Sequence, residues 1–232
     1  LELDVTGGKI DPLPIAIAPF IGEGEVAGLM NGVITNNLGR SGYFQPIDPA
    51  SFIEQIADFN QEPRFADWRG SGAKALVVGQ VASSGGKIQV EYKLFDIASQ
   101  QQIAAQQFTT SAKNARRIAH LISDGIYKSI TGFEGYFDTR IVFVDESGPK
   151  GKRIKKLAIM DQDGHNPRAL TDGSDIAITP RFSPTSQEIT YMSYGKGDPR
   201  VFLMNVETKQ KEIVGEFSNM SFAPRYSPDG QR

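Results

Sequence analysis

"TPRFSP" occupies residues 179–184, and "APRYSP" occupies residues 223–228. The offset is 44 residues, and it extends beyond the hexapeptide. The same shift places Leu157 on Val201, Ala158 on Phe202, Met160 on Met204, Asp161 on Asn205 and Ile178 on Phe222. One register that aligns two separate strand-like segments and a turn marks a repeat. A period of about 40–45 residues, with four strand-length segments in each, belongs to a β-propeller blade. "ITPRFS" (178–183) reads as the innermost strand, "EITYMSY" (188–194) as the second, "VFLMNV" (201–206) as the third and "KEIV" (211–214) as the fourth. "SPTS" closes the innermost strand in one copy and "SPDG" in the other. Both are tight-turn sequences, with Pro fixing φ and, in the second, Gly free to take a positive one.

Working outward, the chain from Tyr136 to its end carries no helix signal. Short strands alternate with Gly, Pro, Asp and Asn turns, the pattern of many-stranded antiparallel structure. Residues 141–171 supply the outer three strands of one blade, 178–214 a whole blade, and 222–228 the innermost strand of another. Propellers close with about 4–8 blades, so the chain is read as cut within the ring.

Residues 1 to about 136 follow a different period. "LPIAIAPF" (13–20) is an apolar run bounded by prolines and predicts a buried strand. Val26, Met30, Val33, Ile34 and Leu38 fall at helical spacing, with Gly39 or Gly42 available as a stop. "YFQPI" (43–47) reads as a short edge strand. Pro49 and Ser51 then open a second predicted helix, with Phe52, Ile53, Ile56 and Phe59 on one face. Three strands follow at 75–82, 87–96 and 101–110, the first two joined by "SSGG". A last helix is expected after Ser111 as N-cap, with Ile118, Ala119, Ile122, Ile126 and Tyr127 as its stripe and Gly132 as its end. The expected fold is an α/β domain with a mixed sheet over 1–136, then all-β propeller blades over 137–232.

Composition removes several classes of function. Lys plus Arg number 25 against 27 Asp plus Glu, so the net charge of −2 offers no global field for nucleic acid or an anionic membrane. With no Cys there is no disulfide, thiolate metal site or thiol nucleophile. A chain without thiols also suits an oxidising compartment. No apolar run approaches the roughly 18 residues that span a bilayer, so direct membrane insertion is not expected.

An α/β domain followed by blades carrying "PRFSPTSQEITYMS" and "PRYSPDG" resembles the TolB family of Gram-negative bacteria. "LELDVTGGKIDPLPIAIAPF" at the start and "GYFDTRIVFV" at the domain junction are similar to that family as well. The resemblance implies an incomplete six-bladed propeller and a periplasmic, non-enzymatic scaffold of the Tol–Pal system, serving outer-membrane integrity and cell division. It implies binding of the lipoprotein Pal at the propeller mouth, TolA at the N-terminus, and colicins as parasites of the propeller surface. It also implies a monomer, with no nucleic-acid partner and no catalytic, cofactor or metal site. The mouth is formed by loops entering the innermost strands, here "DGSDIAITPR" and "EFSNMSFAPR". The candidates for Pal are therefore Thr179, Arg181, Met220, Ser221, Ala223 and Arg225. Arg offers bidentate hydrogen bonds and Met an adaptable apolar contact. The competing reading has the two arginines bridging neighbouring inner strands. For TolA the candidates are Leu1, Glu2, Leu3, Asp4 and Val5, an extended segment able to add to a partner's sheet edge.

A second reading is the propeller of a periplasmic or secreted peptidase whose catalytic domain lies elsewhere. No G-x-S-x-G elbow is present to support it. "GEGEVA" (22–27) matches a dinucleotide fingerprint, but Glu23 and Glu25 would repel a pyrophosphate. "DQDGHN" (161–166) lacks the remaining ligands of a calcium loop and reads as a hairpin turn. His120 and His165 have no partner at metal-ligand spacing.

Overall fold

The computed structural model describes residues 11–22, 24–195, 198–214 and 223–232. The chain divides into two units, Leu1–Asp138 and Thr139–Arg232.

In the first unit the apolar run at its start forms β1 (Leu13–Ile17), followed by the two-residue β2 (Ile21–Gly22). Helix α1 (Gly24–Arg40) buries Met30, Val33, Ile34 and Leu38, as the spacing predicts. β3 (Phe44–Pro46) is short and ends on a proline. Helix α2 (Phe65–Gly70) comes next, then β4 (Ala75–Ser84), β5 (Lys87–Asp96) and β6 (Gln101–Ser111). Gly85 and Gly86 join β4 to β5 with φ of 58° and 77°, both in the left-handed region that two-residue hairpin turns require. Helix α3 (Ala115–Thr131) ends at Gly132, whose N–H bonds the Lys128 carbonyl.

The sheet runs β3-β1-β4-β5-β6, with β1 parallel to β3 and β4 and the last three strands antiparallel. Both faces of its centre are covered. Ile15, Ile17 and Val77 join α1 and α3 in one apolar cluster; Ala16, Ala18, Leu76 and Val78 join Trp68 and Phe59 in another. This is the alternation that period-two strands impose. Helix α3 lies close to the sheet because residue 125 is glycine: a Cβ there would fall inside contact distance of the Tyr92 hydroxyl and crowd Gln106.

The helix expected from Pro49 through Phe59 does not form. Asp48 accepts a hydrogen bond from Ala50 N and caps a single 3-10 turn, Pro49–Ser51. Beyond it the chain is irregular down to α2, and a buried acid explains why. The Glu54 side chain is 1% exposed. Its carboxylate accepts from Trp68 Nε1 (2.6 Å), Arg64 N (2.8 Å) and Gln61 Nε2 (3.3 Å). Phe52, Ile56 and Phe59 still pack on the Trp68 cluster, but Ile53, expected on the same face, is 60% exposed. Ser111 also differs from expectation: it precedes a 3-10 turn, Ala112–Asn114, and makes no side-chain capping bond.

In the second unit β7 (Arg140–Ser147), β8 (Ile154–Asp161) and β9 (Arg168–Ala169) form a three-stranded antiparallel sheet. β10 (Ile176–Phe182), β11 (Glu188–Tyr194), β12 (Arg200–Asn205) and β13 (Lys211–Ile213) form a four-stranded one. These are the blade strands read from the sequence, in order. Leu157, Ile159 and Leu170 of the first sheet pack with Ile189, Tyr191 and Met204 of the second. Arg140 ties the two sheets at their surface, donating to Glu207 Oε1 at 2.6 Å and to the side-chain oxygen of Gln187. The segment 223–228 is not a strand; no described residue pairs with it as a ladder.

Candidate partner-binding surface

Two of the site residues read from the sequence, Thr179 and Ala223, share a backbone feature at the same place in the repeat. In β10 the register against β11 slips between Ile178 and Arg181, because two residues, Thr179 and Pro180, oppose the single Tyr191. This is a β-bulge, a device that re-aims side chains at strand ends. Thr179 sits there with φ of 52°. Ala223, the residue 44 positions later, has φ of 54°. Each is followed by proline, which adds its own restriction on the preceding residue. A β-branched threonine in the left-handed region costs on the order of 1–2 kcal/mol, so something else in each repeat holds the conformation.

Part of that hold is the turn that follows. Ser183 N donates to Glu188 O at 2.8 Å, and Ser227 N donates to Arg232 O at 2.6 Å. The two pairs are related by the same 44-residue shift. Ser183 Oγ accepts from Thr185 N and Ser186 N, while Ser227 Oγ donates to Asp229 Oδ1 at 2.5 Å. That bond and one from Gln231 N hold the Asp229 carboxyl below the usual aspartate range.

Between bulge and turn stand Arg181 and Arg225. Both are exposed. Among the described residues neither side chain makes a hydrogen bond or an ion pair. Thr179 and Ala223 are also exposed. Arg225 lines a cavity of about 480 Å³, together with Thr190, Val201, Leu203, Val214 and Tyr226. The Thr190 and Tyr226 hydroxyls beside it are buried and have no hydrogen-bond partner among the described residues. Burial, and then the negative charge of Glu188, pushes the Tyr226 hydroxyl up to about 12. The arrangement sets an exposed guanidinium beside apolar strand surface, a pairing that suits contact with another protein. Met220 and Ser221 lie outside the described residues, as do Leu1, Glu2, Leu3, Asp4 and Val5. The positive φ at Thr179 and Ala223 has no signal in the sequence; the family resemblance points to the loops that hold them, and the repeat makes the two positions equivalent.

The discounted motifs have structural explanations. Gly22 has φ of 128°, and a Cβ there would collide with the Val81 carbonyl, so this glycine serves the β2–β4 pairing. Residues 161–166 form a turn in which Asp161 N donates to His165 O and Gly164 N to Asp161 O. Among the described residues no helix is long and apolar enough to cross a membrane.

Two family models match the chain: the TolB amino-terminal domain over residues 1–103 and the TolB beta propeller domain over residues 127–232. The chain is similar to the crystal structure of TolB from Acinetobacter baumannii, with 28% identity and a TM-score of 0.82 over 99% of this chain. It spans 56% of that protein's length. It also matches a putative TolB from Agrobacterium tumefaciens, at 16% identity and a TM-score of 0.31, over 65% of this chain and 50% of that one. Lipoprotein GNA1162 from Neisseria meningitidis matches at 14% identity and a TM-score of 0.37, over 52% of this chain and all of that one. The last two likenesses are too slight to bear on function.

Proposed function

The chain belongs to the TolB family, and on that premise we propose that it is a non-enzymatic scaffold of the periplasmic Tol–Pal system. In this reading the propeller mouth binds Pal, the N-terminal segment Leu1–Val5 binds TolA, and colicins exploit the propeller surface. Outer-membrane integrity and constriction at cell division are the processes it would serve.

The observation that supports the Pal assignment is the left-handed residue repeated at Thr179 and Ala223, each followed two residues later by an exposed arginine whose side chain has no partner among the described residues. A strained backbone that recurs with the repeat and aims unpaired guanidinium groups outward is consistent with a binding rim. Fork-shaped donors of this kind pair with carboxylates and main-chain carbonyls and are common among interface residues that dominate affinity.

Calorimetric titration of Pal tests the reading. Arg181→Ala and Arg225→Ala should each weaken binding by at least about fivefold, roughly 1 kcal/mol, with thermal stability nearly unchanged. Met220→Glu should do the same by placing a charge in an apolar contact. Unchanged affinity in all three variants refutes the assignment of this rim.

A further inference from the structure

One sheet edge of this protein is unlike the others among the described residues. β3 has three residues and ends in Pro46; β9 has two and contains Arg168; β13 has three and carries Lys211 and Glu212. β7 carries Arg140, Asp145 and Glu146, and β10 carries Pro180 and Arg181. Short length, charge and proline are the devices by which sheet edges avoid pairing with foreign strands. β6 has none of them. Its eleven residues, QQIAAQQFTTS, include no charged residue and no proline.

β6 pairs with β5 along one side only. On its other side no described residue makes a backbone hydrogen bond to it. Ala105, Gln107 and Thr109 are exposed along it. The register slips once, where Ile103 is left over between the Leu94 and Phe95 pairs, so Ala104–Ser111 is a regular run of eight residues.

We propose that β6 is a docking edge for a second copy of this chain, which adds its own β6 antiparallel across a two-fold axis. Charge favours this occupant. An identical strand brings no ionised group opposite another, so pairing escapes the like-charge penalty that the charged edges β7, β9, β10 and β13 would meet. Geometry favours it too. A two-fold antiparallel pair covers both free edges at once and closes the assembly. The regular run is about 27 Å long on each copy. With its flanking side chains such a pair buries on the order of 1,000 Å² in total, the lower edge of what a specific interface needs. The dimer is therefore weak and concentration-dependent, and the chain is a monomer when dilute.

Sedimentation velocity on the whole chain tests this. The weight-average mass should climb toward twice the monomer value as concentration rises from the micromolar to the high micromolar range. Gln107→Lys should shift the dissociation constant by about tenfold or more, because the two-fold axis brings the new charges together. Gln107→Glu should do the same, which separates charge repulsion from loss of glutamine; mixing the two variants should restore association. Amide hydrogen exchange should slow in residues 104–111 as concentration rises. A monomer at every concentration overturns the proposal, as does a dimer indifferent to both charge variants.

Discussion

Replacing Glu54 by Ala would remove the acceptor around which residues 47–70 are arranged. The magnitude can be built from its partners. Trp68 Nε1 donates at 2.6 Å from a side chain in a residue 1% exposed, and Arg64 N donates at 2.8 Å. Each donor left unsatisfied in a buried site costs about 1–3 kcal/mol. The Gln61 bond and the ion pair to Arg64 add little, since the Arg64 side chain is 60% exposed and solvent screens it. Water entering the vacated space would recover part of the loss, so the expected destabilisation is about 2–4 kcal/mol. Glu54→Gln keeps one acceptor oxygen and should cost about half as much. Urea unfolding followed by Trp68 fluorescence reads both variants, since Trp68 is the single tryptophan in the sequence. A loss below about 1 kcal/mol for Glu54→Ala would show that the carboxylate does not organise this segment.

Further outcomes follow from other sites. Thr179→Gly should stabilise by about 0.5–1 kcal/mol in urea melts, as relief of left-handed strain exceeds the extra unfolded-state entropy of glycine; a net loss would mean that the threonine side chain has a stabilising role. Gly125→Ala should cost about 1–3 kcal/mol by pushing α3 off Tyr92 and Gln106, read as a lower melting temperature. Burial pushes the Tyr92 and Tyr191 hydroxyls up to about 12. A raised value in the folded state stabilises fully below the unfolded tyrosine range, near pH 10, and that contribution is lost as pH rises toward about 12. Alkaline unfolding with delayed tyrosinate absorbance should appear in that window; normal titration near pH 10 in the folded protein would contradict it. On the proposed function, in which several blades build the Pal-binding mouth, a chain extended to the length of the Acinetobacter baumannii TolB should bind Pal more tightly than these 232 residues; equal affinity would contradict that proposal.

Much of the architecture was legible because its signals are periodic. The 44-residue register and the strand-and-turn pattern mark the strands from β7 to β13, and the main-chain bond that closes the turn at Ser183 recurs at Ser227. What failed was local. Phe52, Ile53, Ile56 and Phe59 fit a helical face, yet the carboxylate of Glu54 is drawn inward to Trp68 and Arg64, and that tertiary demand overrides helical spacing. The segment at 223–228 reads as a strand, but a strand requires a neighbour, and none of the described residues supplies one. At the candidate rim, Thr179 and Arg181 follow from the family resemblance, and the repeat places their counterparts at Ala223 and Arg225. Their backbone could not be anticipated, since threonine before proline carries no preference for positive φ.

The left-handed residue two places before Arg181 and Arg225 recurs with the repeat, and repetition has an evolutionary consequence. Duplicating one stretch of about 44 residues copies the distorted backbone, the turn that secures it and the side chain it displays, all together. A rim assembled this way can change one position at a time. Altering the residue shown by a single repeat alters one point of the surface and leaves the strand ladders behind it intact. Recognition can then drift toward new partners through exposed substitutions, whose cost to folding is usually within about 0.5 kcal/mol.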